Sequence, residues 1–167
     1  MATKRRKPGA VKMQRGLRTL ENRQGAVRLE LILLERFWSR ARRELRLDPR
    51  SASVCFVTDA EMARLNQTFR KKPGTTDVLS FPSETRTRPA GLRRRARALR
   101  GCFLGDIAIS PTVARRNAKT FGRTLSEEIC FLILHGVLHL LGYDHDTDRG
   151  EMDHVEASLR RRLGLAR

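Results

Sequence analysis

The chain has 167 residues, room for one domain of ordinary size. Lys and Arg number 35 against 18 Asp and Glu, a formal charge of +17, so the first partner to expect is acidic, nucleic acid above all. Hydrophobic residues make up 40%, too many for a disordered basic tail, and the longest apolar run, Ile129 to Leu134, is far too short to span a membrane.

Residues 1–16 are basic with no apolar stretch behind them, which excludes a secretory signal. The stretch is also Arg-rich and acid-poor, as a mitochondrial transit peptide would be. A flexible basic extension, 1–16, on a single domain, 17–167, is the simpler reading. From Arg28 to Leu45, the residues Leu29, Ile32, Leu33, Phe37, Trp38, Ala41 and Leu45 recur at helical spacing and predict an amphipathic packing helix. Asp48-Pro49 breaks it, and Ser53 to Thr58 reads as a buried strand. Thr58 or Asp59 then caps a short helix through Met62, Leu65 and Phe69. After Lys72-Pro73-Gly74, Thr76 to Phe81 is a second short strand, ended by Pro82.

Residues 83–101 hold Arg86, Arg88, Arg93, Arg94, Arg95, Arg97 and Arg100, the pattern of a solvated loop or hairpin. Cys102 to Ser110 alternates into a third strand. Ser110-Pro111 is a helix start, a capping residue followed by proline, with the stop near Phe121-Gly122. Thr124 with Glu127 predicts a capping box for a very apolar helix that ends at Gly142. Asp148 with Glu151 is a weaker box for a last helix through Met152, Val155, Leu159 and Leu163. The expected class is α+β, a small mixed sheet of about four strands covered by about five helices in a single domain.

Charge is unevenly spread. Residues 1–28 carry nine basic groups and one acid, and residues 86–123 carry eleven and one. Residues 124–167 reverse the sign, with five basic and eight acidic groups, so a cation is at home there. The cysteines Cys55, Cys102 and Cys130 form no C-x-x-C pair and read as reduced, packed thiols, which fits a cytoplasmic protein. A serine-hydrolase G-x-S-x-G elbow, a G-x-x-x-x-G-K-[ST] phosphate loop and paired zinc-ribbon cysteines are all absent.

What remains is the apolar helix ICFLILHGVLHLLG, whose only strongly polar side chains are His135 and His139. Four residues apart, they share one helix face, and imidazoles in such a setting need hydrogen-bond partners or a metal. Alone, H-x-x-x-H is weak. Here Gly142 turns the chain, and Tyr143-Asp144-His145 brings a third imidazole back, completing H-x-x-x-H-x-x-G-x-x-H. Three His ligands with an open fourth position suit catalytic zinc, which brings the pKa of bound water to about 7; nickel or copper also accept three imidazoles. The spacing is that of metzincin proteases, but their general-base glutamate is replaced by Gly136. Asp144 offers either a substitute for that carboxylate or a partner orienting an imidazole, and the second is preferred. Asp77 reads as structural, Asp106 as structural or as a supporting partner of a site residue, and His154 as exposed.

The run HGVLHLLGYDH resembles the signature of the YbeY family of zinc-dependent endoribonucleases. LNQTFRKKPGTTDVLSFP and LGDIAIS are similar to that family's upstream elements, in the expected order, and Met152 and Glu156 fall at its last helix. The likeness spans about Ser53 to Glu156; the N-terminal extension and the Arg-rich segment lie outside it. It implies one Zn²⁺ held by His135, His139 and His145, a functional Arg70, and cleavage of single-stranded ribosomal RNA. The implied setting is maturation of the 16S rRNA 3′ end and quality control of the small ribosomal subunit, in the cytoplasm or, in a eukaryote, the mitochondrion. No membrane partner is expected. Two rival readings are a non-catalytic RNA-binding assembly factor with structural zinc and, disfavoured by Gly136, a metallopeptidase.

Overall fold

Alternation along two central strands decides which residues meet in the core. In a computed structural model, which describes residues 19–83, 101–144 and 149–165, the elements are β1 (Leu20–Asn22), α1 (Leu31–Leu45), β2 (Ala52–Phe56), α2 (Asp59–Arg70), β3 (Val78–Pro82), β4 (Gly105–Ile109), α3 (Pro111–Thr120), α4 (Leu125–Leu140) and α5 (Glu151–Leu163). The expected extension 1–16, nearly all of the Arg-rich segment and His145 lie outside the described residues. Val54 and Phe56 of β2, with Ile107 and Ile109 of β4, face the main core shared with α1, α3, α4 and α5. Their neighbours Cys55 and Ala108 face the other way, with Val57 and Leu79, onto Met62 and Leu65 of α2.

The sheet order is β1-β2-β4-β3, with β1–β2 and β2–β4 parallel and β3–β4 antiparallel. The mixed sheet, the single domain and the five helices agree with expectation. The first strand does not: β1, which no periodicity announced, is three residues long and exists by pairing Leu20, Glu21 and Asn22 with Val54, Cys55 and Phe56. Beyond the β3–β4 ladder, Ser83 N–H donates to the Leu104 carbonyl at 2.7 Å, and Leu104 N–H to the Ser51 carbonyl at 2.6 Å, so both feet of the Arg-rich segment are fastened to the sheet.

Helix α1 begins at Leu31, later than expected, and its inward face differs. Leu34, Phe37, Trp38, Ala41 and Leu45 are buried, while Ile32 and Leu33 are 71% and 45% exposed. The inward stripe runs through Leu34 at i, i+3, i+4, i+7 and i+11, and Ile32 falls well off it. The capping assignments at Thr58, Ser110 and Thr124 all hold: Thr58 Oγ1 accepts from Glu61 N–H, Ser110 Oγ from Val113 N–H, and Thr124 and Glu127 form the reciprocal box. The last helix corrects its expected start. Gly150 is its N-cap, with no side-chain cap bond, so Glu151 opens the helix instead of closing a box from Asp148, which itself lies outside the described residues.

Candidate metal and nuclease site

Helix α4 is buried nearly all round because almost every residue from Ile129 to Leu140 is apolar. It packs against α1, α3, α5, β3 and β4, and this sets where its two histidines open. Between them, Gly136 faces the sheet. A Cβ at that position would lie 2.9 Å from Ile107 Cγ2 and 3.2 Å from Ser80 Oγ. The position that carries a general-base glutamate in a metzincin therefore points into packed sheet, with no room for a carboxylate.

His135 and His139 come together as their spacing predicts. Their ring centroids are 4.7 Å apart at 79°, and the two Nε2 atoms stand 3.1 Å apart. His139 Nδ1 lies 3.0 Å from the Tyr143 carbonyl, which the Gly142 turn (φ 87°) brings back over the helix end. His135 Nδ1 lies 3.5 Å from Glu156 Oε1. With the Nδ1 proton of each ring turned to these partners, each ring would present an Nε2 lone pair. Two facing lone pairs at that distance call for a cation or a proton between them. Two nitrogens on a tetrahedral zinc, each at 2.0–2.1 Å, are about 3.3 Å apart, so the pair is close to the spacing a shared metal needs.

Among the described residues no group of three or more His, Cys, Asp and Glu side chains converges on one metal position. The expected third ligand, His145, lies outside those residues. Asp144 is half-buried just before it. Glu156 stands against His135 and the Tyr143 carbonyl against His139.

The sequence puts Glu156 on the last helix without assigning it a role. It is a buried carboxylate, 5% exposed, and its Oε1 is 3.1 Å from Arg160 Nη2. These are ion-pair distances without good hydrogen-bond alignment. Burial would push its carboxyl up; contact with His135 and the Arg160 charge outweigh that and hold it below the usual range. Only docking of α5 onto α4 buries it, and no local pattern announces that.

Arg70 closes α2 and is exposed, with no ion pair or hydrogen bond among the described residues. It stands across the edge strand from the histidines. Phe81 of β3 meets Phe69 edge-on, ring centroids 5.0 Å apart, while its neighbour Ser80 donates to the Gly136 carbonyl at 3.1 Å. Residues adjacent to Arg70 and His135 thus grip opposite faces of β3. Asp77 is structural, accepting from Val78 N–H at 2.8 Å and Asn117 Nδ2 at 3.0 Å. Asp106 bonds Ser53, and His154 is exposed.

Fold and site define a mixed-sheet α+β protein whose central helix presents paired imidazoles at Nε2. A family model described as Endoribonuclease YbeY matches residues 21–164. Among curated relatives, Endoribonuclease YbeY of Solibacter usitatus is 46% identical over 79% of this chain and 78% of its own. That of Nautilia profundicola is 41% identical over 71% and 76%. The solution structure of TM1509 from Thermotoga maritima superposes with a TM-score of 0.55 at 25% identity, covering 86% of this chain and 88% of that one. The chain belongs to the YbeY endoribonuclease family.

Proposed function

We propose that this protein is a metal-dependent endoribonuclease that cleaves single-stranded ribosomal RNA, at the 16S 3′ end, in maturation and quality control of the small subunit. It would act in the cytoplasm, with His135, His139 and His145 holding zinc. The observation that carries the metal is the Nε2 pair at 3.1 Å, each ring oriented through its Nδ1. Family membership carries the reaction class, and the formal charge of +17 fits a polyanionic substrate.

Held by His135, His139 and His145, an ion would supply Lewis-acid polarisation of the phosphoryl group. The protein's own groups do the rest. His135 and His139 aim their lone pairs at one point. Arg70, uncommitted to any carboxylate among the described residues, offers a planar guanidinium that binds two phosphoryl oxygens and stabilises charge as it builds. A strand laid across the β3 edge would meet both. Single-stranded RNA suits this, because its backbone bends into a cleft where a duplex would not.

The test measures bound metal and RNA cleavage together for wild type, His139→Ala and Arg70→Ala. A folded, metal-free, inactive His139→Ala and a folded, metal-loaded Arg70→Ala of much reduced activity are expected. Cleavage by metal-free His139→Ala would refute the mechanism. Unfolding of that variant would instead favour a structural zinc, and cleavage of a peptide library but not RNA would favour a peptidase.

A further inference from the structure

Helix α5 lies outside the histidine motif, yet it sets a buried carboxylate against its first member. We infer that Glu156, clamped by Arg160, is a positioning group that fixes His135 in its metal-binding tautomer and orientation. The inference rests on the reading that His135 holds a metal.

Placement argues for positioning over ligation. Glu156 Oε1 is 3.5 Å from Nδ1 of His135, whereas Nε2 of the same ring is the atom facing His139. The carboxylate is therefore on the far side of the imidazole from any ion shared by the two Nε2 atoms. At that distance the contact is electrostatic and not a formed hydrogen bond, and a negative charge there favours the proton on Nδ1, leaving Nε2 as the donor to metal.

The clamp explains how the carboxylate stays in place. Arg160, one helical turn after Glu156, reaches its Oε1 at 3.1 Å, and its guanidinium sits 4.4 Å from the centroid of Phe131. Phe131 is one turn before His135 on α4. The same ring carries Arg123 at 4.0 Å, itself paired at 2.9 Å with the buried Glu128. Two guanidiniums on one buried ring, each tied to a buried glutamate, leave Arg160 little freedom to withdraw. Arg160 Nε is buried without a hydrogen-bond partner, so the clamp is not arranged for its own best bonding. A buried ion pair contributes poorly to stability compared with apolar packing, and a role in orientation accounts for this one better.

The experiment is chelator-competition measurement of zinc affinity, with cobalt absorption spectra, on the full chain as wild type, Glu156→Gln, Arg160→Gln and His139→Ala. Glu156→Gln should fold and bind zinc about 10- to 100-fold more weakly with an altered cobalt spectrum, and Arg160→Gln should shift both the same way. Wild-type affinity and spectrum in a folded Glu156→Gln would overturn the inference, whatever its thermal midpoint. Should that variant not fold, Glu156→Asp, which keeps the charge but withdraws it from Nδ1, gives the same readout. A wild type that binds no zinc, or His139→Ala that binds it normally, defeats the metal reading itself and this inference with it.

Discussion

The Ser80 hydroxyl donates to the Gly136 carbonyl at 3.1 Å, fastening edge strand β3 to the helical turn between the two histidines. The approach is close enough that glycine is needed there. A methyl at Gly136 would meet the Ile107 side chain at 2.9 and 3.1 Å, and Ile107 is fully buried. Helix propensity favours alanine by about 1 kcal/mol, while overpacking costs about 1–3 kcal/mol. With Ile107 unable to retreat, Gly136→Ala is expected to be net destabilising, read as a lower urea midpoint of the metal-free protein. An unchanged midpoint would show that α4 can lift from the sheet.

The start of the same helix is set by its capping box. Thr124 Oγ1 accepts from Glu127 N–H at 3.2 Å, and Glu127 accepts in return from Thr124 N–H at 2.8 Å. Thr124→Ala should cost about 1 kcal/mol, and Thr124→Ser almost nothing. Chemical denaturation of the three proteins compares them directly.

Alkaline pH should weaken the fold through two thiols. Burial pushes both Cys55 and Cys130 up to about 12 from an ordinary 9.0. The unfolded chain alone loses these protons as pH rises past 9.0, so stability present below that value is lost progressively toward 12. The Cys55→Ala, Cys130→Ala double variant, itself destabilised, should show a shallower fall of urea midpoint across that range. An equally steep fall would assign the effect to other groups.

Arg70 is exposed, so its replacement should leave the thermal midpoint where it is. Cleavage should drop about 10²- to 10³-fold in Arg70→Ala, the typical loss for one charge-stabilising donor. Arg70→Lys should recover only part, because an ammonium cannot bind two oxygens in a plane. Single-turnover kinetics at saturating enzyme separates this from weaker binding.

Much of this arrangement was legible because it is local. Ser110-Pro111, the Thr124–Glu127 box and the His135–His139 spacing each depend on residues within one or two turns, and each is found where sequence puts it. Failures came where distant partners decide. Three residues at Leu20–Asn22 become a strand only because β2 lies open beside them. Ile32 and Leu33 have the same chemistry as Leu34, and only packing against the sheet and α4 selects among them. Glu156 looks like any polar residue of an amphipathic helix until α5 docks.

The fastening of Ser83 to Leu104 has a thermodynamic consequence. With Ser83 and Leu104 held by main-chain bonds, a flexible linker joining them would cost folding chiefly loop-closure entropy, and doubling such a loop costs only about 0.6 kcal/mol. Residues 84–100 carry seven arginines and one glutamate. Replacing them by a short Gly-Ser turn should preserve the urea midpoint. It should also flatten the dependence of log K for single-stranded RNA on log salt, by about 0.7 for each phosphate contact removed. Affinity for polyanion and stability of the fold would then be separately adjustable properties of one chain.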